Sequence, residues 1–109
     1  MKVVETLSLA IENKGKKIIY FYRLTQCETK YGQAFGIEVE RQDLRDGVLS
    51  NIERDSVDII STKEEKVRFL LELLYKNNVS PIHLIDIIGS YVDEYVEDFN
   101  NDKALVGVM

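Results

Sequence analysis

The sequence predicts an α+β fold, a four-stranded antiparallel meander followed by two C-terminal helices packed on one sheet face. Three observations lead there. Residues 1–60 largely alternate apolar and polar positions with the period of a strand. Residues 61–100, STKEEKVRFLLELLYKNNVSPIHLIDIIGSYVDEYVEDFN, switch to a helical period with one break at Val79-Ser80-Pro81. The strand-like runs all precede the helical ones, which argues against alternating βαβ units and for an antiparallel sheet with segregated helices.

The first strand is expected at about residues 2–12, where Val3, Leu7, Leu9 and Ile11 alternate with smaller or polar neighbours. Asn13-Lys14-Gly15-Lys16 is a turn, with Gly15 the natural site for positive φ. KIIYFYRLTQC, at about 17–27, is β-branched and aromatic on both faces, so it reads as a central strand. In the third strand, about 34–43, Phe35, Ile37 and Val39 point one way and Glu38 and Glu40 the other. Asp46-Gly47 is a strong hairpin signal leading into a fourth strand at about 48–60. There the alternation slips between Val48, Ser50, Ile52 and Val57, Ile59. A bulge near Arg54-Asp55-Ser56 would restore one apolar face.

The first helix is expected at about 63–77. Thr62 and Glu65 have capping-box spacing, and Val67, Leu70, Leu71 and Leu74 line one face, widened by Phe69 and Leu73. Asn77 and Asn78 suit its end, because Asn tolerates left-handed backbone. Ser80 caps and Pro81 begins the second helix, about 81–99. Its expected core row is Ile85, Ile88, Val92, Tyr95 and Phe99. Gly89 within it implies a close helix approach or a kink, since glycine there costs about 1 kcal/mol relative to alanine. Asn100-Asn101-Asp102 is expected to break the helix, leaving residues 1–103 as a single domain and 104–109, ALVGVM, as an apolar tail.

At 109 residues, with 45% hydrophobic and 30% charged residues, the chain has the composition of one globular domain. The opening MKVVETLSLAIENKGKK alternates rather than forming the apolar run of a signal peptide, and no stretch approaches the ~18 apolar residues of a membrane span. One cysteine, Cys27, excludes an internal disulfide and fits a cytoplasmic setting. The net charge is −5. Residues 84–102 hold Asp86, Asp93, Glu94, Glu97, Asp98 and Asp102 with no lysine or arginine. That is the reverse of the basic stripe a direct nucleic-acid binder needs.

The segments VSPIHLIDII, residues 79–88, and YGQAFGIEVE, residues 31–40, resemble a group of small uncharacterised proteins of clostridia and related Firmicutes. Those proteins run strands first, then a helix pair joined through a V-S/T-P-x-H-L segment. The resemblance covers about residues 15–99. It implies a shared fold and a bacterial cytoplasmic protein, and carries no activity or site residues with it.

No catalytic set, metal site or cofactor motif emerges from the residues. His83, the single histidine, has Asp86 as its nearest acid partner, and these two supply too few ligands for structural zinc. An enzyme would have to use His83, with Asp86 or Cys27; ordering of the inter-helix turn is the simpler role. Tyr20, Phe21 and Tyr22 have the look of a base-stacking platform but lack the basic track such platforms need, so sheet packing explains them. The expectation is therefore a non-enzymatic interaction or regulatory protein, binding a basic protein partner through Asp86, Tyr91, Asp93, Glu94, Tyr95, Glu97 and Asp98. The alternative is an acidic nucleic-acid mimic that inhibits a nuclease or DNA-binding protein. A homodimer is also expected, through the sparsely charged first strand or the apolar tail.

Overall fold

The computed structural model describes residues 1–30 and 32–107, with side chains as far as residue 99. Four strands, β1 (Lys2–Asn13), β2 (Lys16–Thr29), β3 (Gly32–Arg45) and β4 (Val48–Ser61), precede α1 (Glu64–Lys76), a 3₁₀ turn (Pro81–His83) and α2 (Leu84–Gly107). All neighbours are antiparallel and the order is β1-β2-β3-β4, so the sheet is the expected meander.

Two turns set the first and third hairpins. Lys14 and Gly15 (φ 49° and 79°) and Asp46 and Gly47 (φ 51° and 79°) take positive φ at both central positions, the twist-matched geometry for two-residue hairpins. The turns also touch: the Asp46 N–H donates to the Gly15 carbonyl at 2.9 Å. Pairing fixes two faces. Leu7, Leu9, Tyr20, Tyr22, Leu24, Ile37, Val39 and Val57 share the face under the helices, while Ile19, Phe21, Arg23, Glu38, Glu40, Ile52 and Arg54 share the other.

The bulge in β4 lies elsewhere than expected. Residues 54–57 pair one for one with β3, and the register instead shifts beyond Val57, opposite Gly36, with a second shift near Ser50. Gly36 is the reason. A Cβ there would sit 2.3 Å from the Val57 and Asp58 carbonyl oxygens, so the chain can close and skip a pair only against a glycine. Beyond the shift Ile59 is exposed and Ile60 and Ser61 are buried.

The core is continuous from sheet to helices: Tyr20, Tyr22, Leu24, Ile37, Val39 and Ile60 meet Val67, Leu70, Leu71, Leu74, Leu84 and Ile88. Tyr22 is fully buried, and its hydroxyl donates to the Val79 carbonyl at 2.9 Å. Tyr20 stacks on it with ring centroids 6.0 Å apart, and the hydroxyls of Tyr20 and Ser80 lie 3.1 Å apart. The β2 tyrosines are thus the posts on which the inter-helix connection hangs. Burial, and to a lesser extent a charge on Tyr20, raise the Tyr22 phenol well above its ordinary range.

Several local expectations about the helices need correction. The Thr62–Glu65 capping box does not form. α1 follows Lys63, which makes no side-chain cap, and the Ser61 hydroxyl accepts from the Lys63 N–H at 3.0 Å. Ser80 caps nothing through its side chain, because its hydroxyl is drawn to Tyr20. Asn78 does take left-handed backbone (φ 51°) where α1 stops. In α2 the inward positions are Leu84, Ile88, Tyr91, Val92 and Tyr95, whereas Ile85 is half exposed, because α2 starts one turn later and is rotated relative to the expected row. Gly89 makes no close approach: a Cβ there would make only ordinary contact with Ile85 at 3.7 Å. The helix also runs through residues 100–102 to Gly107 rather than ending there; Asn and Asp are weak helix formers but do not break a helix as proline does. Of the expected tail, residues 108–109 lie outside the described residues.

Candidate functional site

The outer surface of α2 is built by helical spacing. Asp86, Ser90, Asp93 and Glu97 recur at intervals of four, three and four, so they form one stripe, and all are exposed. Glu94 and Ile87 flank it on the side of α1, and Ile85 and Val96 on the other, each also exposed. Phe69 of α1 is 52% exposed and meets Tyr91 edge-on, ring centroids 6.1 Å apart.

Of the expected partner-binding residues, Asp86, Asp93, Glu94 and Glu97 stand in solvent, and Asp93, Glu94 and Glu97 form no salt bridge among the described residues. The two tyrosines and Asp98 differ. Tyr91 and Tyr95 are half buried against the core, so they support the helix pair more than they display an aromatic row. Burial, with the Glu94 charge nearby, raises the Tyr95 phenol, and Lys66 Nζ sits 4.9 Å over its ring.

Asp98 is 5% exposed and cannot meet a partner. Lys66 donates to its Oδ1 at 2.8 Å and the Ser61 hydroxyl to its Oδ2 at 2.6 Å. One carboxylate thereby ties α2 to α1 and to the end of β4. Burial pushes this carboxyl up, but the hydrogen bonds from Lys66 and Ser61 outweigh it and leave it below the usual range. The same hydrogen bond is the main reason Lys66 is raised. The signal was present in spacing: Asp98 stands seven residues after Tyr91 and three after Tyr95, on the inward stripe, where a carboxylate needs a partner.

A second buried carboxylate lies on the sheet face away from the helices. Glu40 is 3% exposed and accepts from Gln42 at 2.6 Å, Arg54 at 2.6 Å and Arg23 at 3.1 Å. Burial raises its carboxyl, but those three donors outweigh it and hold it below the usual range. Arg23 also bonds Glu38 at 2.7 Å and lies over the Phe21 ring. Phe21 is therefore covered by an arginine, and Tyr20 and Tyr22 are core, so these rings form no base-stacking row.

His83 and Asp86 are both exposed, with Nδ1 and Oδ2 3.6 Å apart, an ion pair when the imidazole is protonated. His83 lines a cleft of about 460 Å³ with Leu73, Asn77, Asn78, Val79, Ser80 and Ile87, where α1 ends and α2 begins. Cys27 lines a different one, with Met1, Lys2, Gln26 and Glu28, so a Cys27–His83 dyad does not form. Among the described residues no group of three or more His, Cys, Asp and Glu is placed to hold a metal, and no helix is long and apolar enough to cross a membrane.

No curated protein and no solved structure matches the chain. A family model does: the one described as Family of unknown function (DUF6514) matches residues 1–94, from the whole meander through the exposed acids Asp86, Asp93 and Glu94. The chain belongs to the Family of unknown function (DUF6514).

Proposed function

We propose that this chain is a non-catalytic protein-interaction module of the bacterial cytoplasm, whose outer α2 surface docks a basic segment of another protein. One observation carries the reading. A stripe of exposed carboxylates at Asp86, Asp93 and Glu97, with Glu94 beside it, runs along a half-apolar surface formed by Phe69, Ile87 and the cleft at Leu73 and Val79. Apolar area bordered along α2 by charge of one sign suits an interface with a desolvated centre and a steering rim. The cleft would seat an apolar anchor, and the acids would draw in lysines or arginines alongside it. Asp98 is excluded from this surface and serves the fold. The separation of His83 from Cys27 supports the non-catalytic half of the proposal.

The test is affinity capture from the native cell with the full chain, set against the variant Asp93→Asn, Glu94→Gln, Glu97→Gln, which leaves Asp98 untouched. The expected result is a partner with a basic surface, bound by the wild type with association at least about tenfold faster at low salt than by the variant. Equal capture by both, or binding insensitive to salt, overturns the acidic-surface reading.

A further inference from the structure

The sheet has two edges, and they differ in chemistry. β4 carries Glu53, Arg54, Asp55 and Asp58, and α2 and the 3₁₀ turn pack beside it. These are ordinary guards against strand addition. β1 has none along its middle: Thr6-Leu7-Ser8-Leu9-Ala10-Ile11 contains no charge, proline or glycine. Its register irregularity is confined to Val3–Glu5, and residues 6–13 pair one for one with β2. The nearby charge, Glu5, is engaged by Arg68 of α1. A regular row of backbone donors and acceptors therefore faces outward from a neutral strand.

The apolar side of β1 is also incompletely covered. Leu7, Leu9 and Ile11 lie on the helix face, opposite Tyr22, Tyr20 and Ile18. Leu7 and Leu9 are only half buried, and Ile11 is 44% exposed. The shelf stops at the sheet's own edge, next to α1.

We propose that β1 is a self-pairing edge: two copies of this chain join antiparallel along β1, about a two-fold axis near Ser8, into one eight-stranded sheet. The axis stands perpendicular to the sheet, so both helix pairs lie on one side. Leu7 of one copy then sits beside Leu9 of the other, and the two half-covered shelves close over each other between the two α1 helices. Thr6, Ser8 and Ala10, all small and exposed, meet on the opposite face. Charge favours this contact over others between copies. Each chain carries a formal −5, so its acidic surfaces repel their own kind, whereas residues 6–11 set no like charges against each other. The joined sheet ends in two guarded β4 strands, which stops assembly at two. This contact is independent of the α2 surface.

Sedimentation equilibrium of the full chain at about ten to one hundred micromolar, with Ser8→Lys, Ala10→Lys and Phe69→Asp as variants, tests it. The wild type and Phe69→Asp are expected near twice the 12.6 kDa chain mass, with β1 amides whose hydrogen-exchange protection falls on dilution. Ser8→Lys and Ala10→Lys, whose side chains point to solvent, are expected near one chain mass with unchanged circular dichroism. Two lysine variants are used so that misfolding of one leaves the other to decide. A wild type of single-chain mass throughout overturns the proposal. So does a dimer that survives whichever lysine variant folds, or one that only Phe69→Asp dissolves.

Discussion

At the scale of single residues, the two carboxylates that matter most to this fold are those taken out of solvent. Asp98 and Glu40 are held below the ordinary carboxylate range because their donors outweigh the burial that opposes ionisation. A group whose folded value is depressed contributes stability above its unfolded value and loses that contribution as pH falls through the folded one. Thermal stability should therefore change little between pH 7 and about 5, then drop steeply below about pH 4. Asp98→Asn should lower stability at neutral pH by about 1–2 kcal/mol, since the Lys66 ion pair is lost, and should flatten the acid limb. Melting curves from pH 7 to 2 read both effects. Parallel loss by wild type and variant would mean that the Lys66–Asp98–Ser61 cluster adds nothing. Asp98 was grouped with the displayed acids because composition reports charge without direction; its place on the inward stripe was the available clue.

Elements show where local sequence suffices and where it does not. The first and third hairpins were legible, since Lys14-Gly15 and Asp46-Gly47 state their φ requirement in the residues themselves. The period of α1 was legible for the same reason: Val67, Leu70, Leu71 and Leu74 are all buried. The β4 bulge was displaced because its position depends on Gly36 in another strand. The Ser61 and Ser80 hydroxyls went to Asp98 and Tyr20, partners that only the packed fold brings near. Gly89 is the instructive residue of α2. It sits inside a helix, yet no neighbour demands a missing Cβ. Gly89→Ala is thus expected to stabilise the chain by about 0.5–1 kcal/mol, raising the melting temperature by a few degrees. A lower melting temperature would show that α2 relies on glycine for something its static packing does not reveal.

As a whole the molecule is long, 61 by 23 by 18 Å. Fourteen strand residues at ~3.3 Å span about 46 Å, while at ~1.5 Å per residue the thirteen residues of α1 cover about 20 Å and the twenty-four of α2 about 36 Å. The uncovered remainder of the helix face is the hairpin end, where Ile11 and Val48 are exposed. The α+β meander is readable from the order of periodicities, but this overhang is not, since β2 and β3 run up to two residues past the ends that their alternation predicts. The candidate site was readable in half: four acids stand on the surface as expected, while the tyrosines and Asp98 serve the interior.

The hydrogen bond between the two hairpin turns joins positions thirty-one residues apart. A Cβ on Gly15 would lie 2.8 Å from Asp46 Oδ1, so what Gly15 tolerates depends on which residue occupies the other turn. Substitutions there are expected to be coupled. Gly15→Ala should cost less in an Asp46→Gly background than in the wild type, with a coupling of about 0.5–1 kcal/mol in a double-mutant cycle. Strictly additive costs would show that the turns touch without sensing each other. Epistasis of this kind lets one hairpin constrain which changes the other can accept, although only β2 and β3 pair between them.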